Sequence, residues 1–355
     1  MKRNNIAVLG YGKTGKALIA FLTERPDISG LYLYTDGPLD IGDDTALKML
    51  DEKNRILIGE VGFAKMSQKV DTAILSPGFN GREERFDKLR AAGVSVISEI
   101  EYAYRLIEQK DVKIIALTGT NGKSTTVSLI YHILRESGRD VILAGNIGNP
   151  FISEVNNIQD GSFLVLELSS FQLEDIVNFK PSISLILNLT PDHLDRYADI
   201  DEYLDAKLNI MKNQSDSDYF IYNEDDQRLK RLDNGEVKKV GFSIEKAIPG
   251  LYLDQNELVW TGEYSEEIHR ISLEKNPLRG IHNLENISAA ATAALLAGLK
   301  GNEIEQALPS FRGLPHRMEL VGHFNTVDFI NDSKATNVDS AWKSAMSFEE
   351  EMVII

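Results

Sequence analysis

The 355-residue chain contains no cysteine. That excludes disulfides, Cys-ligated zinc and a thiol nucleophile, and it is compatible with a reducing cytosol. Long apolar runs are missing too: nothing approaches the roughly 18 consecutive apolar residues of a membrane-spanning helix. The N-terminal MKRNNIAVLGYG carries basic residues, but its apolar run, residues 6–9, is too short for the core of a signal peptide. A cytoplasmic location without membrane insertion is expected. Positive charge is scarce, with 38 Lys and Arg against 54 Asp and Glu and a formal net charge of −16. A surface that negative repels phosphate backbones, so no nucleic-acid partner is expected. Repeats and low-complexity tracts are absent as well. What remains is ordinary for a folded protein, 43% hydrophobic and 26% charged, which excludes global disorder and coiled-coil rods. At roughly 150 residues per domain, the length allows two or three domains.

Strand-like and helix-like runs alternate along most of the chain. Residues 6–9, a glycine turn and an apolar-periodic stretch over 16–22 open a βαβ unit. Apolar runs at 31–34, 73–75 and 94–97, with a helical pattern over 82–92, continue it, so the first hundred residues read as one small α/β domain. A second strand–loop–helix unit begins at residues 113–117 and 124–135. The nearly continuous apolar runs 163–168 and 183–187 predict central parallel strands buried on both faces. Residues 218–275 turn to short alternating segments, read as a hairpin-rich insertion or sheet edge. An Ala-rich helix is expected over 283–299. A third beginning follows residue 313: a strand at 327–330, a helix at 338–346 and a strand at 352–355. A fragment of about 40 residues cannot close its own core, so this last domain is expected to be incomplete.

Six groups of residues can carry chemistry. Gly10-Tyr-Gly12-Lys-Thr-Gly15 has GxGxxG spacing between strand and helix, where glycines allow a tight turn and helix N–H groups face a phosphate. Asp36 is the only acidic residue near the ribose-binding position, and a ligand-free turn is the plainer alternative. Gly119-Thr-Asn-Gly122-Lys123-Ser124-Thr125 ends in the Gly-Lys-Ser of a phosphate-binding loop, although its glycine spacing departs from the standard one. Lys123 suits the β- and γ-phosphates and Ser124 suits Mg²⁺. Glu167 breaks an apolar strand near its C-terminal end, where open α/β sheets bind ligands; it pairs either with a metal shared with Ser124 or with a basic side chain. Asp192-His193-Leu-Asp195 follows another buried strand. Lys207 has Tyr203, Leu204, Ile210 and Met211 at helical spacing, which turns it toward a core and its neutral amine unless it snorkels to the surface. Finally Asn283 and Asn286, Arg317, and Asn331-Asp332-Ser333-Lys334-Ala-Thr336-Asn337 offer groups able to close over a nucleotide.

In this order the motifs resemble the Mur ligases, the ATP-dependent amide ligases of peptidoglycan synthesis, from the first strand to the last residue. The loop at 119–125, Gly145-Asn146-Ile-Gly148, Glu167-Leu-Ser-Ser-Phe-Gln-Leu173, Asn188-Leu-Thr-Pro-Asp-His193, Ala206-Lys207, His282-Asn283-Leu-Glu-Asn286 and Gly313-Leu-Pro-His-Arg317 carry the resemblance. The Ser-Ser-Phe-Gln-Leu and Asp-Ser-Lys-Ala-Thr-Asn strings favour the D-glutamate-adding branch over its siblings and over folylpolyglutamate synthetase. The resemblance implies three parts. A Rossmann-like domain (1–101) binds a UDP-linked substrate, a central P-loop α/β domain with a mostly parallel sheet (102–313) binds ATP, and a third Rossmann-like α/β domain begins at 314–355. It implies UDP-N-acetylmuramoyl-L-alanine, ATP and D-glutamate as substrates of a monomeric enzyme that works through an acyl phosphate.

By the same resemblance Lys123, Glu167, His193 and Lys207 are catalytic. Gly119, Thr120, Asn121, Gly122, Lys123, Ser124, Thr125, Asn283, Asn286, Arg317, Asp332 and Lys334 hold ATP. Ser124 and Glu167 hold one Mg²⁺, and His193 with a carbamylated Lys207 holds a second. Gly12, Lys13, Thr14, Gly15, Asp36, Ser76, Pro77, Gly78, Asn146, Ser169, Gln172 and His193 hold the UDP substrate. Where relatives can carry an Arg beside the uracil, this chain has Thr35-Asp36-Gly37. Because the chain ends at Ile355, impaired turnover is expected. Two alternatives remain open: a non-catalytic UDP-sugar-peptide binding protein, and an NAD-dependent oxidoreductase suggested only by the first glycine loop.

Overall fold

A computed structural model describes residues 4–193, 195–232, 235–262, 267–335, 338–348 and 352–354. Two compact units form. The first comprises Met1–Lys110, Ala144–Asp160 and Leu168–Phe179, and the second Asp111–Leu143, Gly161–Glu167 and Lys180–Ile355.

The first unit is built on five parallel strands: β1 (Asn5–Leu9), β2 (Gly30–Thr35), β3 (Ile56–Ile58), β4 (Thr72–Leu75) and β5 (Ser95–Ser98). Their order is β3-β2-β1-β4-β5, and every pairing is parallel. The chain moves outward from β1 through β2 to β3, then returns to β1's other side for β4 and β5. The switch point between β1 and β4 is where such sheets open a crevice at their carboxyl ends. Residues 6–9 are at most 1% exposed, which explains why β1 reads as a continuous apolar run rather than an alternating one. Two helices, Thr45–Glu52 and Gly59–Lys69, and the short β3 had no strong signal in the sequence. They owe their place to packing: Leu47, Leu50, Leu57 and Met66 are all at most 5% exposed.

Two distant stretches join this unit through carboxylates on the helix Glu99–Ile107. Glu99 Oε1 accepts from Ile152 N at 2.6 Å. Glu101 Oε2 accepts from the backbone N–H groups of Val177, Asn178 and Phe179, each at 2.9 Å, while its Oε1 takes Arg105 Nε at 2.7 Å. Asp175 adds an ion pair to Arg90 at 2.7 Å.

The second unit carries a nine-stranded sheet made of β6 (Lys113–Thr118), β7 (Val141–Gly145), β8 (Phe163–Glu167), β9 (Ile183–Ile186), β10 (Tyr219–Asn223), β11 (Lys238–Ser243), β12 (Gly250–Asp254), β13 (Glu257–Trp260) and β14 (His269–Ser272). The order is β14-β13-β12-β11-β10-β9-β6-β8-β7. β6, third from the β7 edge, lies between β8 and β9 with parallel pairing to both. Of the two readings of residues 218–275, the sheet edge holds for β12 to β14 and the insertion does not, since the described strands belong to the main sheet. They extend this same sheet, first as parallel strands β10 to β12, and only β12, β13 and β14 form the antiparallel hairpins expected. The helix Ile281–Leu296 packs on the helix Lys123–Glu136. Five of its alanines are fully buried, and small side chains let the two backbones approach closely.

At the end of the chain, β15 (Glu319–Phe324) and β16 (Val327–Asn331) pair antiparallel, so residues 327–330 do not open a βαβ unit. Residues 352–354 are not a strand. Val353 and Ile354 are 87% and 78% exposed, and among the described residues no strand pairs with them.

Candidate functional site

Within the first unit the loops after β1, β2 and β4 share the carboxyl edge of adjacent strands. Gly12 precedes the helix Lys13–Thr23 and has open space where a Cβ would project. At Gly15 an added Cβ would lie 2.0 Å from Gly10 O, so only glycine lets the helix press against the strand exit. Lys13 Nζ donates to Gly148 O, and Thr14 is half-buried. Asp36 lies at the end of β2, where Tyr34 Oη donates to it at 2.6 Å and Arg85 Nη1 and Nη2 reach its two oxygens at 2.5 and 3.2 Å. The Arg85 guanidinium holds the Asp36 carboxyl below the usual range. Arg85 itself stacks within 5.2–5.6 Å of the Phe63, Phe79 and Phe86 rings. Sequence reasoning missed it, because its partner lies 49 positions away.

Ser76 is buried, Pro77 half-buried and Gly78 exposed. Asn146 is exposed in the same unit. Ser169 and Gln172 form a capping box at the helix Ser170–Glu174: Ser169 Oγ accepts from Gln172 N and Gln172 Oε1 accepts from Ser169 N. All of the residues expected to contact the UDP substrate therefore belong to the first unit except His193, which belongs to the second.

In the second unit, Gly119 and Gly122 adopt φ of +152° and +82° in the loop after β6. Lys123 Nζ donates to Gly119 O and Thr120 O at 3.0 and 2.8 Å. Lys207 Nζ, from the helix Ile200–Leu208, donates to the same Gly119 O at 2.9 Å and sits 4.3 Å from the Tyr203 ring centroid. Lys207 is 1% exposed, which rules out snorkelling. Burial, reinforced by the Lys123 charge and opposed by Asp192, pushes its ammonium well below the ordinary lysine range. Burial also lowers Lys123, against the pull of Glu167 and Asp192. Glu167 is 2% exposed at the end of β8.

Asn188, which the sequence reading left without a role, receives Thr120 N and Asn121 N on its Oδ1 at 3.2 and 2.8 Å and fixes the loop. Both Asn188 and Asp192 belong to the Asn188-Leu-Thr-Pro-Asp-His193 motif, which is the sequence signal for them. Thr125 is buried in the first turn of its helix. Arg317 Nη2 donates to Ser124 Oγ at 3.1 Å. Asn286 Oδ1 accepts from Thr126 Oγ1 at 3.1 Å, and Asn283 Oδ1 from Asn286 Nδ2. These two asparagines are at most 6% exposed and brace the loop.

His193 takes a left-handed φ of +53°, its ring 3.9 Å from Asp192 and 6.3 Å from the Tyr203 ring. Asp332 accepts from Met318 N and Ser344 Oγ, and Lys334 is exposed. Thr336 and Asn337 lie outside the described residues. Among the described residues no group of three or more His, Asp or Glu is placed to hold a metal ion. Ser124 and Glu167 supply the oxygen donors that Mg²⁺ prefers, whereas a site on His193 and Lys207 lacks anionic oxygen unless the lysine is modified.

Residues 117–294 match the model of the Mur ligase middle domain. The chain is 36% identical to the UDP-N-acetylmuramoylalanine–D-glutamate ligase of Natranaerobius thermophilus over 98% of its own length and 76% of that protein's. With the ligase of the same name from Bacteroides fragilis it shares 38% identity over its whole length and 78% of the relative. The chain belongs to the Mur ligase family. It is thus an ATP-dependent ligase of peptidoglycan synthesis. The Mur ligase fold is seen also in the MurF ligase of Thermotoga maritima in complex with ADP, which has a TM-score of 0.57 and 16% identity over 97% of this chain and 72% of that one. The family's middle-domain match takes in the loop at 119–125, Glu167, His193, Lys207, Asn283 and Asn286. No helix among the described residues is long and apolar enough to cross a membrane.

Proposed function

We propose that the protein joins D-glutamate to UDP-N-acetylmuramoyl-L-alanine in the cytoplasm. The substrate carboxylate takes the γ-phosphoryl group of ATP, ADP leaves, and the amine of D-glutamate displaces phosphate from the acyl phosphate. The observation that carries the reading is the convergence of half-buried Lys123 and fully buried Lys207 on Gly119 O in the loop after β6, together with relatives named as D-glutamate ligases. Lys123 and the loop N–H groups would bind the phosphates, since a lysine and a helix start concentrate positive potential there. The glycine loop at 10–15 with residues 76–78 would hold the uridine diphosphate. Mg²⁺ on Ser124 and Glu167, when bound, neutralises phosphate charge. Lys207, pushed toward its neutral amine, would add to carbon dioxide through a new N–C bond with loss of a proton, becoming an anionic oxygen donor beside His193.

A second reading, a binding protein without turnover, is favoured by one contact: Arg317 donates to the Ser124 hydroxyl that would ligate Mg²⁺, so a cation there requires the guanidinium to move. Calorimetry with UDP-N-acetylmuramoyl-L-alanine, followed by phosphate release on adding ATP, Mg²⁺ and D-glutamate, separates the two. Binding with D-glutamate-dependent phosphate release is expected. Binding without release favours the second reading, and absence of binding removes both.

A further inference from the structure

Behind the Ser76-Pro77-Gly78 turn lies a cavity about large enough for one water molecule, lined by Ser76, Phe79, Ser98, Glu99, Gln172 and Asp175. Among the described residues, two buried polar atoms of its lining residues have no hydrogen-bond partner, Ser76 Oγ and Glu99 Oε2. Ser76 is 7% exposed and Glu99 2%. The other Glu99 oxygen is committed to Ile152 N. Ser76 Oγ also faces the glycine loop, lying 3.4 Å from where a Cβ on Gly10 or Gly15 would stand. One small space thus adjoins a buried carboxyl and the hydroxyl next to the phosphate-facing loop.

We propose that Ser76 Oγ and Glu99 Oε2 together bind one water in this cavity, with Glu99 as the neutral acid that donates to it. That proton keeps the turn at 76–78 receptive to the pyrophosphate of a uridine diphosphate substrate. The inference rests on the substrate reading above and adds a positioning residue to it.

Among the described residues, the cations near the Glu99 helix are committed to other carboxylates. On elements packed against its helix, Glu174 pairs with Arg82 at 3.6 Å and Asp175 with Arg90 at 2.7 Å, while Glu154 accepts from Asn149 and Asn157. On its own helix Glu101 pairs with Arg105, and Tyr102 is neutral near pH 7, its hydroxyl pushed up to about 12 by burial. β4 and β5 contribute no charged side chain. Burial, opposed by the N–H groups of Ile152 and Phe151, pushes the Glu99 carboxyl up to about 7. Ionising it places an uncompensated negative charge behind a turn that must accept an anion.

The first test needs no ligand. Carbon-13 NMR of side-chain carboxyls in the free protein, with Glu99 assigned by loss of its signal in Glu99→Gln, should show a midpoint near 7. A midpoint below about 5, where unperturbed glutamates titrate, overturns the proposal. The second test measures the Kd of UDP-N-acetylmuramoyl-L-alanine from pH 6 to 9 on wild type and Glu99→Gln. Their ratio cancels the ligand's own titration. The wild type should lose about threefold or more in relative affinity as pH passes through 7, and a constant ratio overturns the coupling. Glu99→Leu supplies the same charge-free reference should the amide variant not fold. If neither form binds at any pH, the substrate reading is what fails, and the NMR midpoint alone decides the buried acid.

Discussion

Lys207 shows how a single side chain is set against its surroundings. Its ammonium is buried beside a second lysine, and a charge so placed destabilises the fold unless it sheds its proton. Lys207→Met should therefore raise the thermal midpoint at pH 7, by the equivalent of about 1 kcal/mol, while abolishing D-glutamate-dependent phosphate release. Calorimetric scans and a phosphate assay check the two halves. Glu99 makes the corresponding statement for an acid. Its folded midpoint near 7 lies above its ordinary value, so stability is full below that ordinary value, falls between it and 7, and is lost above. The loss amounts to about 3 kcal/mol by pH 8. Glu99→Gln should flatten this part of the stability profile, measured by urea unfolding from pH 4.5 to 8.

At the scale of elements, the phosphate loop is held by packing as much as by its own turn. A Cβ at Gly122 would lie 2.2 Å from Asn286 Oδ1, at a φ of +82° that side chains rarely adopt. Gly122→Ala should cost about 2 kcal/mol and weaken ADP binding at least tenfold, with little change in UDP-substrate affinity. Isothermal titration with each ligand checks that contrast. The strands β1, β2, β4, β5, β6, β8 and β9 and the helices Lys123–Glu136 and Ile281–Leu296 were legible because burial on two faces and helical periodicity write themselves into runs of residue types. The helix Thr45–Glu52, the strand Ile56–Ile58 and the helix Gly59–Lys69 were not. Their apolar residues are few and are recruited singly by the sheet. Residues 218–243 misled for the opposite reason: short strands with scattered polar residues look antiparallel, although β10 and β11 pair parallel in the middle of a large sheet.

For the whole molecule, the residues proposed for the two substrates divide between the two units. UDP-N-acetylmuramoyl-L-alanine should slow amide hydrogen exchange mainly in the first unit, around residues 10–15 and 76–78. ADP with Mg²⁺ should act mainly in the second, around 119–126. Protection in the same peptides by both ligands would contradict the division. The net charge of −16 gives no overall attraction for either anionic ligand, so binding depends on local cations, and rising salt should weaken it only through those contacts.

The amino-acid sequence by itself determined the two glycine-rich strand-to-helix turns, the parallel α/β class and the family, because local backbone geometry and contiguous motifs carry them. Only the tertiary structure decided that Ala144–Asp160 and Leu168–Phe179 belong with the first unit, that Arg85 closes on Asp36, that Arg317 reaches Ser124, and that Glu99 is a buried acid beside Ser76. These are contacts between residues far apart in the chain. No local pattern encodes them; they follow from loop closure and burial once the sheets have formed.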